Sequence, residues 1–231
     1  RLTQQSLIPQ KAPRLDGWDV AAAYRPVIQV GGDIYGWLRM TDGRTLFWIA
    51  DATGHGAAAA LLTTLAKLLF QHGSVEHAGP AKIMEAVNND FRSIFGARSF
   101  MTAMCVALDP ATGCGCVVGA GHPPLLVTRA QVDAELFASS APPLGLLERS
   151  EFVETAFVLE KGDGFLLYTD GLYGAATNDS SRWTPERLRA TLGPGMHGAQ
   201  AMPARVIQHT APDDGVPLPD DLAAVAVQRA N

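Results

Sequence analysis

No basic cluster stands out along these 231 residues, and the formal net charge is −5 with a pI near 5.6. Nucleic-acid binders carry a basic footprint that engages phosphates, so that class is disfavoured. Long apolar runs are missing too. The longest falls far short of the ~20 residues that a membrane-spanning helix needs, and no signal-peptide pattern opens the chain. Neither nucleic-acid nor membrane contact is expected of this domain. Cysteine is scarce: Cys105, Cys114 and Cys116 cannot all pair, and the last two, one residue apart in a strand-like run, point to one face. That is neither a zinc-ribbon spacing nor a disulfide framework, and it suits a reducing, cytoplasmic setting, with any membrane anchor of the parent protein in another segment. Charged residues make up only 18% against 47% hydrophobic, which excludes global disorder and calls for a packed core.

What is present reads as one large domain. The chain opens on Arg1, and "LTQQSLIPQ" (2–10) has the pattern of an amphipathic helix stopped at Pro9. Residues 1–15 are therefore expected to end a linker helix from an upstream regulatory domain, and 16–231 to form the domain itself. "WDVAAAYRPV" (18–27) predicts a strand, and "GWLRM" and "TLFWIAD" flank "TDGR", in which Asp42-Gly43 signals a hairpin. Residues 57–72 are helix formers with apolar residues almost all round, the pattern of a helix buried on most of its surface. A second helix fits 80–95, with Ile83, Val87, Phe91 and Ile94 on one stripe and Pro80 at its start. Strand-like runs follow at 99–109, 113–121, 124–129, 151–160 and 164–171, with "DPATG" as a hairpin loop. Helical pattern returns in 185–192 and 198–209, "APDDGVPLPDD" (211–221) reads as a surface loop, and 221–229 is a last strand. Strands in hairpins and helices in pairs, without βαβ alternation, favour an antiparallel α+β layered domain.

Four acidic positions share one setting. Asp33 follows "VGG", Asp51 ends "FWIA", Asp170 ends "FLLYT", and Asp220-Asp221 precedes "LAAVAV". Each lies between an apolar strand and a turn, so the side chains could converge off one end of a sheet. Hard cations such as Mg²⁺ and Mn²⁺ take oxygen ligands and keep several waters. Two of them on shared carboxylates can activate water and clamp a phosphoryl group. Singly, each acid reads as a cap or turn residue, because Asp-Gly is first a turn dipeptide and "GGD" can mark a bulge.

As an ordered set, "YRPVIQVGGDIYG", "IADATGHGAAAALL", "GAGHPPLLV", "PPLGLL", "LLYTDGL" and "PDDLAAVAV" resemble the PPM-type (protein phosphatase 2C-like) metal-dependent serine/threonine phosphatases of the bacterial SpoIIE branch. The resemblance runs from about residue 7 to the end. It implies a four-layer αββα sandwich of two antiparallel sheets flanked by helices, with two Mn²⁺ or Mg²⁺ ions at one end. Matched residue by residue, the metal ligands would be Asp33, Asp51, the Ala52 carbonyl, Asp170 and Asp220, with Asp221 in the last role if the register shifts by one. Asp33 and Asp51 would also serve catalysis. The implied substrate is a phosphoserine or phosphothreonine protein, an anti-sigma-factor antagonist in a partner-switching pathway. The implied partners are an upstream sensor or receiver domain and a second copy paired through the N-terminal helix. Two positions depart from the pattern: Gly36 replaces the second acid of "GGDxYD", and Gly174 stands where "TDGLxEA" has Glu.

His55 in "TGHG" suits a general acid for the leaving serine oxygen, since imidazole titrates near neutrality; otherwise it orders the turn. His122 in "GAGHPP" reads as structural, bracing the metal end from behind. Met101 and Met104 read as core or groove residues, not a cofactor site. No cysteine sits in a phosphate-cradling loop, against a cysteine nucleophile. Two rivals stand beside the phosphatase reading. One is a degenerate phosphatase that binds phosphoproteins without turnover, kept alive by Gly36 and Gly174. The other is a different two-metal hydrolase, a nuclease or cyclic-nucleotide phosphodiesterase, disfavoured by the acidic composition and lack of base-stacking stretches.

Overall fold

A computed structural model describes residues 7–27, 31–54, 56–76, 79–174, 184–191 and 220–230. Two five-stranded antiparallel sheets face each other. The first has the order β2 (Asp33–Arg39), β3 (Thr45–Ala52), β4 (Met101–Leu108), β5 (Cys114–Ala120), β8 (Thr155–Val158). The second runs β1 (Trp18–Arg25), β10 (Leu222–Arg229), β9 (Gly164–Tyr168), β6 (Leu125–Thr128), β7 (Glu135–Phe137). Helices α1 (Ala57–Glu76) and α2 (Pro80–Phe95) cover the first sheet. The short helices α3 (Gly171–Gly174) and α4 (Pro185–Thr191) lie on the second, where Leu172 and Leu188 join the apolar cluster of its outer face. This is the αββα order expected from the sequence.

The two-residue period of a strand decides what faces what. In β3, Leu46, Trp48, Ala50 and Ala52 face the helices, while Phe47 and Ile49 enter the core between the sheets. In β10, Ala223, Val225 and Val227 face the same inter-sheet core, and Leu222, Ala224 and Ala226 face outward under α3 and α4. Both faces of β10 are covered, which is why "LAAVAV" carries no polar alternation. Burying each large apolar side chain contributes about 1.5–3 kcal/mol. Trp48 stacks on Phe70 of α1 at 4.4 Å between ring centroids and 8° between planes, tying helix to sheet.

The hairpins form as expected. Gly43, at φ 92°, closes β2–β3, with the Gly43 amide donating to the Met40 carbonyl at 3.1 Å. Gly113, at φ 83°, closes β4–β5, its amide donating to the Asp109 carbonyl at 2.8 Å. Three expectations need correction. Helix α1 is not buried on most of its surface: Ala59, Leu62, Ala66 and Phe70 face the sheet, but Leu61, Leu68 and Val75 are 69%, 57% and 69% exposed. An outer-layer helix has only one face against the sheet, whatever its composition. The strand expected over 151–160 shrinks to Thr155–Val158, because only those residues pair with β5. The strand expected over 164–171 stops at Tyr168, and Gly171 already opens α3.

The N-terminal helix falls largely on residues 1–6, outside the described residues, as does the helix expected over 198–209; residues 7–10 are turn and bend. There Ile8 is buried in the inter-sheet core, and Lys67 Nζ of α1 donates to the Leu7 carbonyl. Among the described residues no helix is long and apolar enough to cross a membrane.

Candidate metal centre

Asp33 and Asp51 are register partners at one end of the first sheet. By strand parity each follows the inter-sheet face, with Tyr35 in β2 and Ile49 in β3 as the neighbours two residues inward. From the second sheet, Asp170 comes just beyond β9, and Asp220 and Asp221 just before β10. The four motif acids thus come to one end of the sandwich from both sheets. Asp33 is 2% exposed, Asp51 is half-buried, and Asp170 and Asp220 are exposed.

Thr169 ties the sheets together here. Its Oγ1 donates to Asp33 Oδ2 at 2.6 Å and accepts from the Ala223 amide at 2.9 Å. In the sequence Thr169 falls inside the strand-like run 164–171, and nothing local marks it. Only the inter-sheet parity of its position could have pointed to it.

The charges acting on these acids are all carboxylates. Burial and the neighbouring Asp51 charge push Asp33 well above the usual carboxylate range, against the pull of the Thr169 hydrogen bond. Burial, then Asp170, Asp220 and Asp221, push Asp51 up to about 7. Burial and Asp220 raise Asp170. Partly buried negative charge of this kind is stabilised by a cation, and oxygen-only donors select a hard one. Among the described residues no three acidic, histidine or cysteine side chains close in tightly enough to form a finished cage. Mutual repulsion holds free carboxylates apart, and Mg²⁺ or Mn²⁺ retains waters between itself and part of its ligand set. The donor set therefore fits a hydrated hard dication.

Backbone geometry adds a fifth oxygen. A Cβ placed on Gly32 would lie 2.7 Å from the Ala52 carbonyl oxygen and 2.9 Å from Asp51 Oδ1, so both oxygens aim at one point that only glycine leaves open. Asp221 is 9% exposed, and its carboxylate accepts the Val27 amide through Oδ1 and the Gly32 amide through Oδ2, each at 2.8 Å. Asp220 stays exposed and accepts only the Asp221 amide, at 2.8 Å, among the described contacts. Of the two terminal acids, Asp220 has the freer carboxylate.

His122 is buried. Thr102, the register partner of Asp51, shares a 2.8 Å hydrogen bond with its Nδ1. Desolvation lowers its pKa to about 3, opposed by the backbone of Tyr168, so the ring is neutral and braces β4 through Thr102. Tyr24 of β1, unremarked in the sequence, is raised by burial and by the charges of Asp221 and Asp33. His55 lies outside the described residues. Gly36 has a steric reason: a Cβ there would meet the Trp48 ring at 2.7 Å, on the helix-facing side of β2, opposite Asp33. The missing second acid of "GGDxYD" is therefore no loss to the acid end. Gly174 closes α3.

Comparison with known proteins agrees with this architecture. The family described as Stage II sporulation protein E (SpoIIE) matches residues 41–230. Phosphoserine phosphatase RsbP of Bacillus subtilis (strain 168) is 30% identical over 161 residues, covering 68% of this chain and 40% of RsbP. The chain thus spans well under half the length of that relative. The SiaA-PP2C domain of Pseudomonas aeruginosa superposes with a TM-score of 0.80 at 23% identity, over 97% of this chain and 92% of that domain. RsbX, solved in complex with magnesium, superposes with a TM-score of 0.73 at 15% identity, over 94% of this chain and 98% of RsbX. A family match over most of the sequence, on a two-sheet frame that superposes on the SiaA-PP2C domain, leads to one assignment: this chain belongs to the SpoIIE family.

Proposed function

We propose that the domain is a metal-dependent protein serine/threonine phosphatase whose two Mn²⁺ or Mg²⁺ ions are held by Asp33, Asp51, the Ala52 carbonyl, Asp170 and Asp220. The observation that carries this reading is the meeting of Asp33, Asp51, Asp170 and Asp220 at one end of the sandwich, where the charges shifting Asp51 are all negative. When bound, the ions supply an activated water and neutralise phosphoryl charge. The chain's own residues do the positioning. Thr169 orients Asp33, the glycine at 32 keeps the Ala52 and Asp51 oxygens unobstructed, and His122 braces the strand behind Asp51. His55, if it protonates the leaving serine oxygen, would act as general acid.

The substrate proposed is a phosphorylated anti-sigma-factor-antagonist-like protein, with control by an upstream sensor or receiver domain in the same cytoplasmic chain. The similarity to RsbP and the SpoIIE family supports this. The test is hydrolysis of a phosphoserine peptide and of p-nitrophenyl phosphate with and without Mn²⁺. Turnover of both only with metal is expected. Mn²⁺ binding without turnover of either would favour a phosphoprotein-binding module. His55→Gln should lose about 10²-fold on the peptide and much less on p-nitrophenyl phosphate, whose leaving group needs little protonation; equal losses would assign His55 to the turn.

A further inference from the structure

The residues around Asp221 form an interlock that spans three motifs. A Cβ on Gly31 would sit 2.1 Å from Asp221 Oδ2 and 2.4 Å from its Cγ, so the carboxylate rests directly on the Gly31 backbone. A Cβ on Gly171, the glycine of "TDG", would sit 1.8 Å from the Asp221 carbonyl oxygen. Side chain and backbone of one residue are thus seated on glycines from two other motifs.

The consequence lies in the β2–β3 ladder. At a hydrogen-bonded antiparallel pair the two residues exchange both N–H···O bonds. Ala52 and Gly32 make only one: the Ala52 amide donates to the Gly32 carbonyl at 2.9 Å. The reciprocal donor, the Gly32 amide, goes to Asp221 Oδ2 at 2.8 Å instead. The Ala52 carbonyl is left out of that exchange, beside Asp51 Oδ1 at the point over Gly32.

We propose that Asp221 is a positioning residue: by taking the Gly32 amide it withdraws one bond from the β2–β3 ladder and keeps the Ala52 carbonyl available beside the Asp51 carboxylate. The proposal rests on the cation site proposed above and adds a residue that the ligand set does not contain. It also gives separate reasons for the two glycines of "VGGD". Gly31 seats Asp221, and Gly32 opens the space that the freed carbonyl faces.

Two kinds of variant test it. Asp221→Ala removes the acceptor, whereas Gly31→Ala keeps every acid and displaces the carboxylate from its seat. In the metal-free protein, NMR couplings across the hydrogen bond should link the Gly32 amide to the Asp221 carboxylate in wild type and to the Ala52 carbonyl in both variants, because the ladder bond closes once the competing acceptor is gone. Mn²⁺ affinity by calorimetry should fall about 10–100-fold in both, the range for groups that orient ligands. Asp221→Asn, which keeps one acceptor oxygen, should fall between wild type and Asp221→Ala on both measures. Asp220→Asn should weaken Mn²⁺ binding and leave the partner of the Gly32 amide unchanged. A Gly32 amide that does not pass to the Ala52 carbonyl in Asp221→Ala and Gly31→Ala would overturn the proposal. So would Asp221→Asn matching Asp221→Ala in lost Mn²⁺ affinity while the Gly32 amide stayed bonded to residue 221, because Asp221 would then act through its charge as a ligand. If Asp221→Ala fails to fold, Gly31→Ala and Asp221→Asn decide between these outcomes. A wild-type protein that bound no Mn²⁺ would sink the proposed function itself, and the positioning role with it, whatever the couplings showed.

Discussion

At the hairpin end of the sandwich, Asp42 meets Arg44 at 2.7 Å, and Asp109 accepts from the Thr112 hydroxyl at 2.7 Å and the Ala111 amide at 3.0 Å. Asp163 there accepts from Arg129 at 2.9 Å and from the amides of Ala130 and Glu160. At the opposite end, Asp33, Asp51 and Asp170 face other carboxylates. The residue type and the strand-end setting are the same, but the shifts run in opposite directions. Donors hold Asp42 and Asp109 below the usual carboxylate range, while burial and like charge push Asp33, Asp51 and Asp170 above it. An aspartate that ends a strand is thus a turn residue where donors surround it. Where burial and other acids surround it, it carries an unmet demand for a cation.

The comparison breaks most sharply on activity. Asp51→Asn and Asp170→Asn are each expected to remove Mn²⁺-dependent phosphatase turnover by about 10²-fold or more, since Asn keeps the shape and loses the charge that holds a dication. Near-wild-type turnover of Asp51→Asn at saturating Mn²⁺ would show that this end is no metal site. Next in size is Gly32→Ala, whose Cβ would occupy the point shared by the Ala52 carbonyl and Asp51 Oδ1. Mn²⁺ affinity should drop about 10–100-fold with circular dichroism unchanged; an unaltered titration would remove Ala52 from the ligand set.

A smaller effect concerns stability without metal. Asp51 titrates at 3.8 when free of its surroundings and at about 7 in the fold, so the fold prefers its protonated form. Its contribution is fully present below pH 3.8 and is lost as pH rises through about 7. Metal-free Asp51→Asn should therefore melt higher than wild type at pH 8, by at least about 3 °C, with the gap narrowing at pH 5 and closing only below pH 3.8. Saturating Mn²⁺ should reverse the order at pH 8. Equal melting temperatures at pH 8 and pH 5 would mean that the carboxylates do not burden the metal-free fold. The smallest effect is at the other end. Asp42→Asn removes an exposed pair with Arg44 and should change stability by less than about 0.5 kcal/mol, measured by urea unfolding, with Mn²⁺-dependent turnover unchanged. A large loss of turnover there would erase the distinction between the ends.

How much of this was legible in the sequence follows from the range of each signal. Helix α2, the Asp42-Gly43 turn and strand β10 were readable because period and turn chemistry act over a few residues. Strand β7 was not, since three residues at a sheet edge carry too little pattern, and they pair only because β6 lies beside them. The outward stripe of Leu61, Leu68 and Val75 misled, because composition reports apolar content and not which neighbours are present.

The candidate site divides the same way. Sequence alone determined that acids end several apolar strands, in an order that resembles one phosphatase family, because strand ends and Asp-Gly turns are local chemistry. It read Asp42 and Asp109 as hairpin residues and set Asp51 and Asp170 apart only through the family resemblance, since what separates them physically is the charge and solvent each meets. It could not show that Thr169 holds Asp33 across the sheets, or that Asp221 rests on Gly31 and takes the amide of Gly32, 189 positions away. Those contacts exist only once two sheets pack face to face and strand parity turns the side chains inward. Tertiary structure alone therefore decided which aspartates repel one another and which serve as acceptors, because desolvation and like-charge repulsion depend on distance in space.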